Sequence, residues 1–273
     1  MGLVKSQLDD MQEERKDDWI RDYMGLDEDD ELDELSADYL EAEYQYQELQ
    51  DHLADEAWYQ FELEQEQERE IEWLKRNPHL TIYNQYLRSL NSVLSLNSIQ
   101  GNEALLKMQV AYCVTILESC LSEMLKSVVL SSREFLENAV SNVKELQNST
   151  VSLKEVLKES NFIEKRVMNH LSELLYHNIP KVLNTYQAVL NTPKPKGIQL
   201  SEVIKLTSLR HDIVHRDGKS LDGVKMSLSE KDVTASVKLV REFLTAVSQY
   251  ITSAVDERHQ KIELQRLKEI PPF

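Results

Sequence analysis

The sequence predicts an all-α protein, an antiparallel helical bundle with an acidic helical N-terminal extension. Three observations carry that expectation. Only six glycines and six prolines are spread over 273 residues, too few for a chain built of turns and strands. Apolar residues recur at alternating spacings of three and four over long stretches, the period of a helix face. No alternating strand pattern runs beyond a few residues, and no Gly-rich phosphate loop or internal repeat is present.

The elements follow in chain order. Residues 1–30 read as loosely ordered, and roughly 36–75 as one or two helices, free of Gly and Pro and rich in Glu, Gln, Leu and Ala. Trp19, Trp58, Trp73 and several tyrosines make this segment too aromatic for a solvating tail. Glu62, Glu64, Glu66, Glu68 and Glu70 set like charges four apart, which weakens an isolated helix and calls for a partner surface. Asn102 to about Leu130 is a long helix with Leu106, Val110, Cys113, Leu117, Leu121, Met124 and Val128 in one stripe. Ser131 or Ser132 opens a helix reaching Gln147, and shorter helices fall at 152–160 and 164–191, the latter perturbed by Pro180. Asn191 to Gly197 is a loop. A helix from about Leu200 to His215 stops at Gly218. Ser229 caps the last helix with Asp232 three residues on; Val233, Val237, Val240, Leu244, Val247, Ile251 and Ala254 form its seam, and it continues to about Leu267.

The net charge of -17 seems to exclude a nucleic-acid partner. It is segregated, however. Residues 1–75 hold 27 acids and 6 bases, a net of -21, whereas 76–273 carry +4. Two domains are therefore expected, an acidic extension over 1–75 and a bundle over 76–273, and the bundle is free to meet phosphate. Two cysteines exclude a disulfide scaffold; Cys113 and Cys120, on one helix face, read as buried thiols of a cytoplasmic protein. The longest uncharged apolar run, Met108 to Leu117, is too short to span a membrane. Gly2 and Ser6 meet a loose myristoylation pattern that chance readily supplies.

Chemistry concentrates at Arg210-His211-Asp212-Ile213-Val214-His215-Arg216-Asp217-Gly218, where ionisable groups crowd a helix end. His211 and His215 share a face, and Arg210 lies about 140° around the helix from His215. One reading is a helix C-terminus whose basic groups complement the dipole. A zinc site is a second, but no glutamate stands between the histidines and no cysteine lies nearby. Catalysis on a phosphodiester is the third.

The run Arg210-x-x-x-x-His215 resembles the signature of the HEPN superfamily of α-helical domains, many of them ribonucleases. Arg210 matches the arginine, His211 the polar position that is commonly Asn, and His215 the histidine. Asp217-Gly218, Val224-Lys225-Met226 and Ser229 to Val233 also look like the family, and Thr115 to Ser122 resembles an early helix that often carries a glutamate, here Glu118. The resemblance covers roughly 100–255 and does not reach 1–75.

The resemblance implies a metal-independent endoribonuclease, active on RNA through attack of the 2′-hydroxyl, with no cofactor and no metal. It implies a homodimer in which two motifs face each other across one composite cleft, supplying two histidines. Within each motif, His215 is the proton-transfer group and Arg210 clamps the phosphate. Glu118 holds the guanidinium, His211 orients phosphate, and Asp212 is a supporting surface group. The stripes of 106–128 and 233–254 either pair the protomers or fill the core of one. A toxin or antiviral-defence effector is the expected setting, with 1–75 either covering the RNA cleft or docking an antitoxin or other defence partner. The alternative is a non-catalytic HEPN-like scaffold that binds RNA or protein, for which His211 in place of Asn leaves room.

Overall fold

The computed structural model describes residues 14–269 apart from 28–29, 31, 77, 97–101, 159–160, 196 and 220–221. Gly2 and Ser6 lie outside the described residues. The fold is all-α, 82% helical and without strands among the described residues. In chain order the helices are α1 (14–24), α2 (Ala37–Arg76), α3 (His79–Ser95), α4 (Glu103–Ser131), α5 (Arg133–Asn142), α6 (Lys144–Gln147), α7 (Leu153–Lys158), α8 (Phe162–Ser172), α9 (Ile179–Leu190), α10 (Leu200–Arg216) and α11 (Glu230–Glu269). Two compact units divide at Arg69/Glu70, within α2.

In the first unit, α1 packs on the start of α2 around Ile20, Tyr39 and Ala42, with Trp19 between Tyr23 and Tyr46 at ring separations of 5.1 and 5.4 Å. Helix α1 falls inside the stretch expected to be loosely ordered; its aromatic contacts and the Lys16–Glu43 ion pair hold it to α2. Residues 36–75, expected as one or two helices, form a single helix. From 50 to 66 every side chain of α2 is exposed.

The second unit is the bundle, built around α4. Its predicted stripe from Val110 to Val128 is buried, and so are Val114, Ile116, Cys120, Leu125 and Val129, so α4 is covered on more than one side. The α11 seam is buried at all seven expected positions. Neither stripe is left for pairing: both fill the core of one chain. Cys113 and Cys120 are buried free thiols, and burial pushes Cys113 up to about 12.

Helix α3 was not anticipated. It packs on both α4 and α11, with Ile82, Leu90 and Val93 in the core. The register runs antiparallel against each neighbour. Arg241 reaches Asn91 (2.6 Å), the Tyr83 hydroxyl meets that of Thr245 (2.8 Å), and His79 meets Thr252 (3.0 Å), so residue numbers fall on α3 as they rise on α11. Gln109 donates to the Val93 carbonyl (2.8 Å) and Tyr86 to Glu123 (2.5 Å), giving the same sense against α4. The last turns of α2 join this unit through Ile71 and Leu74, and the Lys126–Glu70 and Lys75–Glu164 ion pairs (2.8 and 2.7 Å) tie them down.

The expected helix over 164–191 is two helices. Asn178 caps α9, its side chain accepting from Lys181 N–H (3.2 Å), and Pro180 sits in the first turn, where a missing N–H costs nothing. The proline therefore starts a helix instead of disturbing one. At the other end of α9, Asn138 and Asn142 of α5 donate to the Val189 and Ala188 carbonyls (3.0 and 3.1 Å). Ser132 caps α5 as expected, but α5 ends at Asn142 and the short α6 completes the stretch to Gln147. Ser229 and Asp232 cap α11, the carboxylate accepting from the Ser229 N–H and hydroxyl (2.8 and 2.6 Å), which lowers the Asp232 pKa.

Candidate functional site

Helix α10 carries the site because its two faces meet different surroundings. Val203, Leu206 and Thr207 are buried, and Leu209 and Ile213 pack partly against the core. Arg210 falls on the same face, seven residues after Val203, so its stem is drawn inward; it is half-buried and its Nε is enclosed without a hydrogen-bond partner. The opposite side presents Ile204, Ser208, His211 and His215 at 4-3-4 spacing, all exposed. The His211 and His215 rings lie 4.6 Å apart, inclined by 46°.

These residues line a cleft of about 610 Å³ between the N-terminal end of α9 and the outer face of α10. His177, Asn178 and Pro180 line it from one side, and Ile204, Thr207, Ser208, Arg210, His211 and His215 from the other. The expected Arg210, His211 and His215 therefore share one cavity. Asp212 is not among its lining residues; it is half-buried and ion-paired with Arg216 one turn on. Glu118, on α4, is half-buried with Oε1 enclosed and unpartnered, and among the described residues it forms no ion pair with Arg210. The two side chains are thus each short of a partner on helices that pack together.

The end of α10 is fixed by a residue that no sequence signal indicated. Asp217 and Gly218 both adopt positive φ (53° and 74°), and their N–H groups turn back to the Asp212 carbonyl. Lys107, from α4, reaches this turn and donates to the Asp217 carbonyl (2.8 Å) and carboxylate (3.1 Å). It also pairs with Glu103 (3.2 Å), which takes Lys225 at 3.1 Å from the following loop. The hydrogen bond from Lys107 lowers the Asp217 pKa and raises that of the lysine, while Lys225 and then Lys107 lower Glu103. A Cβ at position 218 would stand 2.9 Å from the Lys107 Cε, so Gly218 supplies both the backbone angle and the room.

His177 and Asn178 were also missed. Asn178 and Pro180 are the N-cap and first-turn signals of a helix, and reading them so would have placed His177 at its entrance. No group of three or more His, Cys, Asp or Glu able to hold a metal occurs among the described residues. A second cavity of about 550 Å³ lies among α4, α5 and α8, lined by Leu130, Leu136, Val140 and Ile163, without a histidine. No helix among the described residues is long and apolar enough to cross a membrane.

An all-α bundle holding Arg-x4-His at the end of the helix before its last long one fits the HEPN-type pattern that the sequence resembles. The chain belongs to the RiboL-PSP-HEPN family, which matches residues 71–253, two thirds of its length. No curated protein and no solved structure matches it.

Proposed function

We propose that the protein is a metal-independent endoribonuclease, acting in the cytoplasm as a toxin or antiviral-defence effector. The observation that carries this reading is the sharing of one cleft by Arg210, His211 and His215 in a HEPN-family bundle. The chemistry suits RNA. Imidazole is the side chain suited to giving and taking protons near neutral pH. A permanently charged guanidinium stabilises the nonbridging oxygens as charge builds on phosphorus. The adjacent 2′-hydroxyl is the nucleophile, so DNA is not cut.

Two copies meet through α10. The exposed Ile204, Ser208, His211 and His215 follow the spacing of a helix-on-helix seam, which supports a homodimer with facing motifs and one continuous RNA cleft. Residues 1–75 are the arm on which an antitoxin or another defence component docks, and the exposed Trp58, Tyr59 and Phe61 support that role.

Incubation of an RNA oligonucleotide with wild type, Arg210→Ala and His215→Ala proteins tests this reading. The wild type should leave 2′,3′-cyclic phosphate ends, unaffected by EDTA, and each variant should lose at least about 100-fold in rate. RNA bound tightly but left intact by the wild type would instead favour a non-catalytic scaffold.

A further inference from the structure

We infer that His177 is the second proton-transfer group of the cleft, working opposite His215 within a single chain. The inference rests on the RNA-cleavage reading and adds a residue outside the Arg-x4-His motif.

Transfer of a phosphoryl group proceeds with the entering and leaving oxygens roughly in line through phosphorus. The group that takes the 2′ proton and the group that protonates the 5′-oxygen must therefore approach from opposite sides. His211 cannot supply the opposite side for His215. The two rings rise from one face of α10, 4.6 Å apart, and reach a bound phosphate from the same direction. His177 comes from a different element, the turn that enters α9, and lines the same cleft.

That turn is built as a fixed platform. Tyr176 is buried and its hydroxyl donates to the Leu171 carbonyl (2.9 Å). Ile179 is fully buried. Between them the Asn178 N–H donates to the Leu175 carbonyl (2.9 Å), and the Asn178 side chain caps α9. The backbone of His177 is thus held on both sides, while its own ring stays exposed and, among the described residues, makes no hydrogen bond or ion pair. A histidine spent on neither packing nor pairing, rigidly mounted across a cleft from another, has the placement that acid–base work requires.

The step balances without a further reactant. One imidazole takes the 2′-hydroxyl proton, the 2′-oxygen bonds to phosphorus, and the bond from phosphorus to the 5′-oxygen breaks. The opposite imidazolium gives its proton to the departing oxygen. The products are a 2′,3′-cyclic phosphate and a 5′-hydroxyl, and the two histidines have exchanged protonation states. Arg210 neutralises the phosphorane-like charge between them. The partner protomer then lengthens the RNA path and is not needed for the second histidine.

The test compares full-length wild type, His177→Ala, His177→Gln and His215→Ala on two substrates, an RNA oligonucleotide and uridine 3′-(4-nitrophenyl phosphate). The nitrophenolate leaves without protonation, so loss of the acid is bypassed and loss of the base is not. On RNA, the variants at both positions should lose at least about 100-fold. On the aryl ester, variants at one of the two positions should recover to within about tenfold of wild type, while those at the other remain slow. Because His177 is exposed, its variants should keep wild-type circular dichroism. Mixing the His177→Ala and His215→Ala proteins should restore no activity, since each chain has lost half of its own pair. Wild-type RNA cleavage by His177→Ala, equal losses on both substrates at both positions, or recovery on mixing would overturn the inference. If His215→Ala itself cleaves normally, the RNA-cleavage reading fails; if only His177→Ala does, the failure belongs to this inference alone.

Discussion

Helices α2 and α11 are both 40 residues long, yet they lead opposite lives. In α11, Val233, Val237, Val240, Leu244, Val247, Ile251 and Ala254 are all buried, with Phe243 and Tyr250 beside them. Among the described residues of α2 only Tyr39, Ala42, Ile71 and Leu74 are buried, none between 43 and 70. The difference is one of phase, not of helix propensity. The α11 residues keep one seam for six turns, so a single layer of neighbours covers them. Trp58, Tyr59, Phe61 and Leu63 of α2 point to different sides at about 100° per residue, and no one neighbour could cover them all. A helix is thus placed by the angular order of its apolar residues, and Trp58, Tyr59, Phe61 and Leu63 are left exposed.

The sharpest way to break this contrast is to truncate one leucine in each helix. Leu244→Ala should cost about 2–5 kcal/mol, because a fully buried side chain leaves both lost burial and a cavity. Leu53→Ala, at a position 48% exposed, should stay within about 0.5 kcal/mol. Urea denaturation of the two variants beside wild type measures both. A large loss at Leu53 would mean that α2 is covered in solution.

What was legible in the sequence follows the same logic. The stripes of α4 and α11 announce themselves because their period is local. Helix α3 keeps an equally local stripe, Ile82, Tyr86, Leu90 and Val93 at 4-4-3 spacing directly after Pro78, and the same rule would have found it. The site itself divides. Arg210, His211 and His215 are legible because six consecutive residues hold them. Lys107 meets Asp217 from 110 residues away, and no spacing rule reports such a contact. His177 needed the correct reading of Pro180, as a helix starter rather than a helix breaker, before its position had any meaning.

A smaller effect sharpens the α11 side. His79, at the start of α3, is buried against Thr252 of α11, and burial lowers its pKa despite the opposing charge of Asp256. The folded chain therefore resists protonation that the unfolded chain accepts near 6.5. The sign follows: the contribution of His79 is fully present above the unfolded value and is lost as pH falls through the folded one. Glu123, held up by burial, works in the opposite direction. The difference between wild type and His79→Gln isolates the histidine. Urea midpoints taken from about pH 8 to about pH 5 should fall further for wild type than for the variant.

The smallest expected effect lies on the acidic side of the contrast, where a charge can be reversed without touching a core. Glu62 and Glu66 stand one turn apart on the exposed part of α2, and like charges at that spacing oppose helix formation. Glu66→Lys replaces the repulsion with an attraction and places the lysine on the C-terminal side, the better orientation, for a gain of about 0.3–0.5 kcal/mol. The gain should shrink as salt is added, since both groups are exposed to screening. Circular dichroism of the variant and wild type at low and high ionic strength reads it. If acidic residues here serve a docking arm, the same variant should gain helix while losing its partner. Stability and function would then pull in opposite directions on α2, whereas the seam residues of α11 are buried in the core and serve the fold.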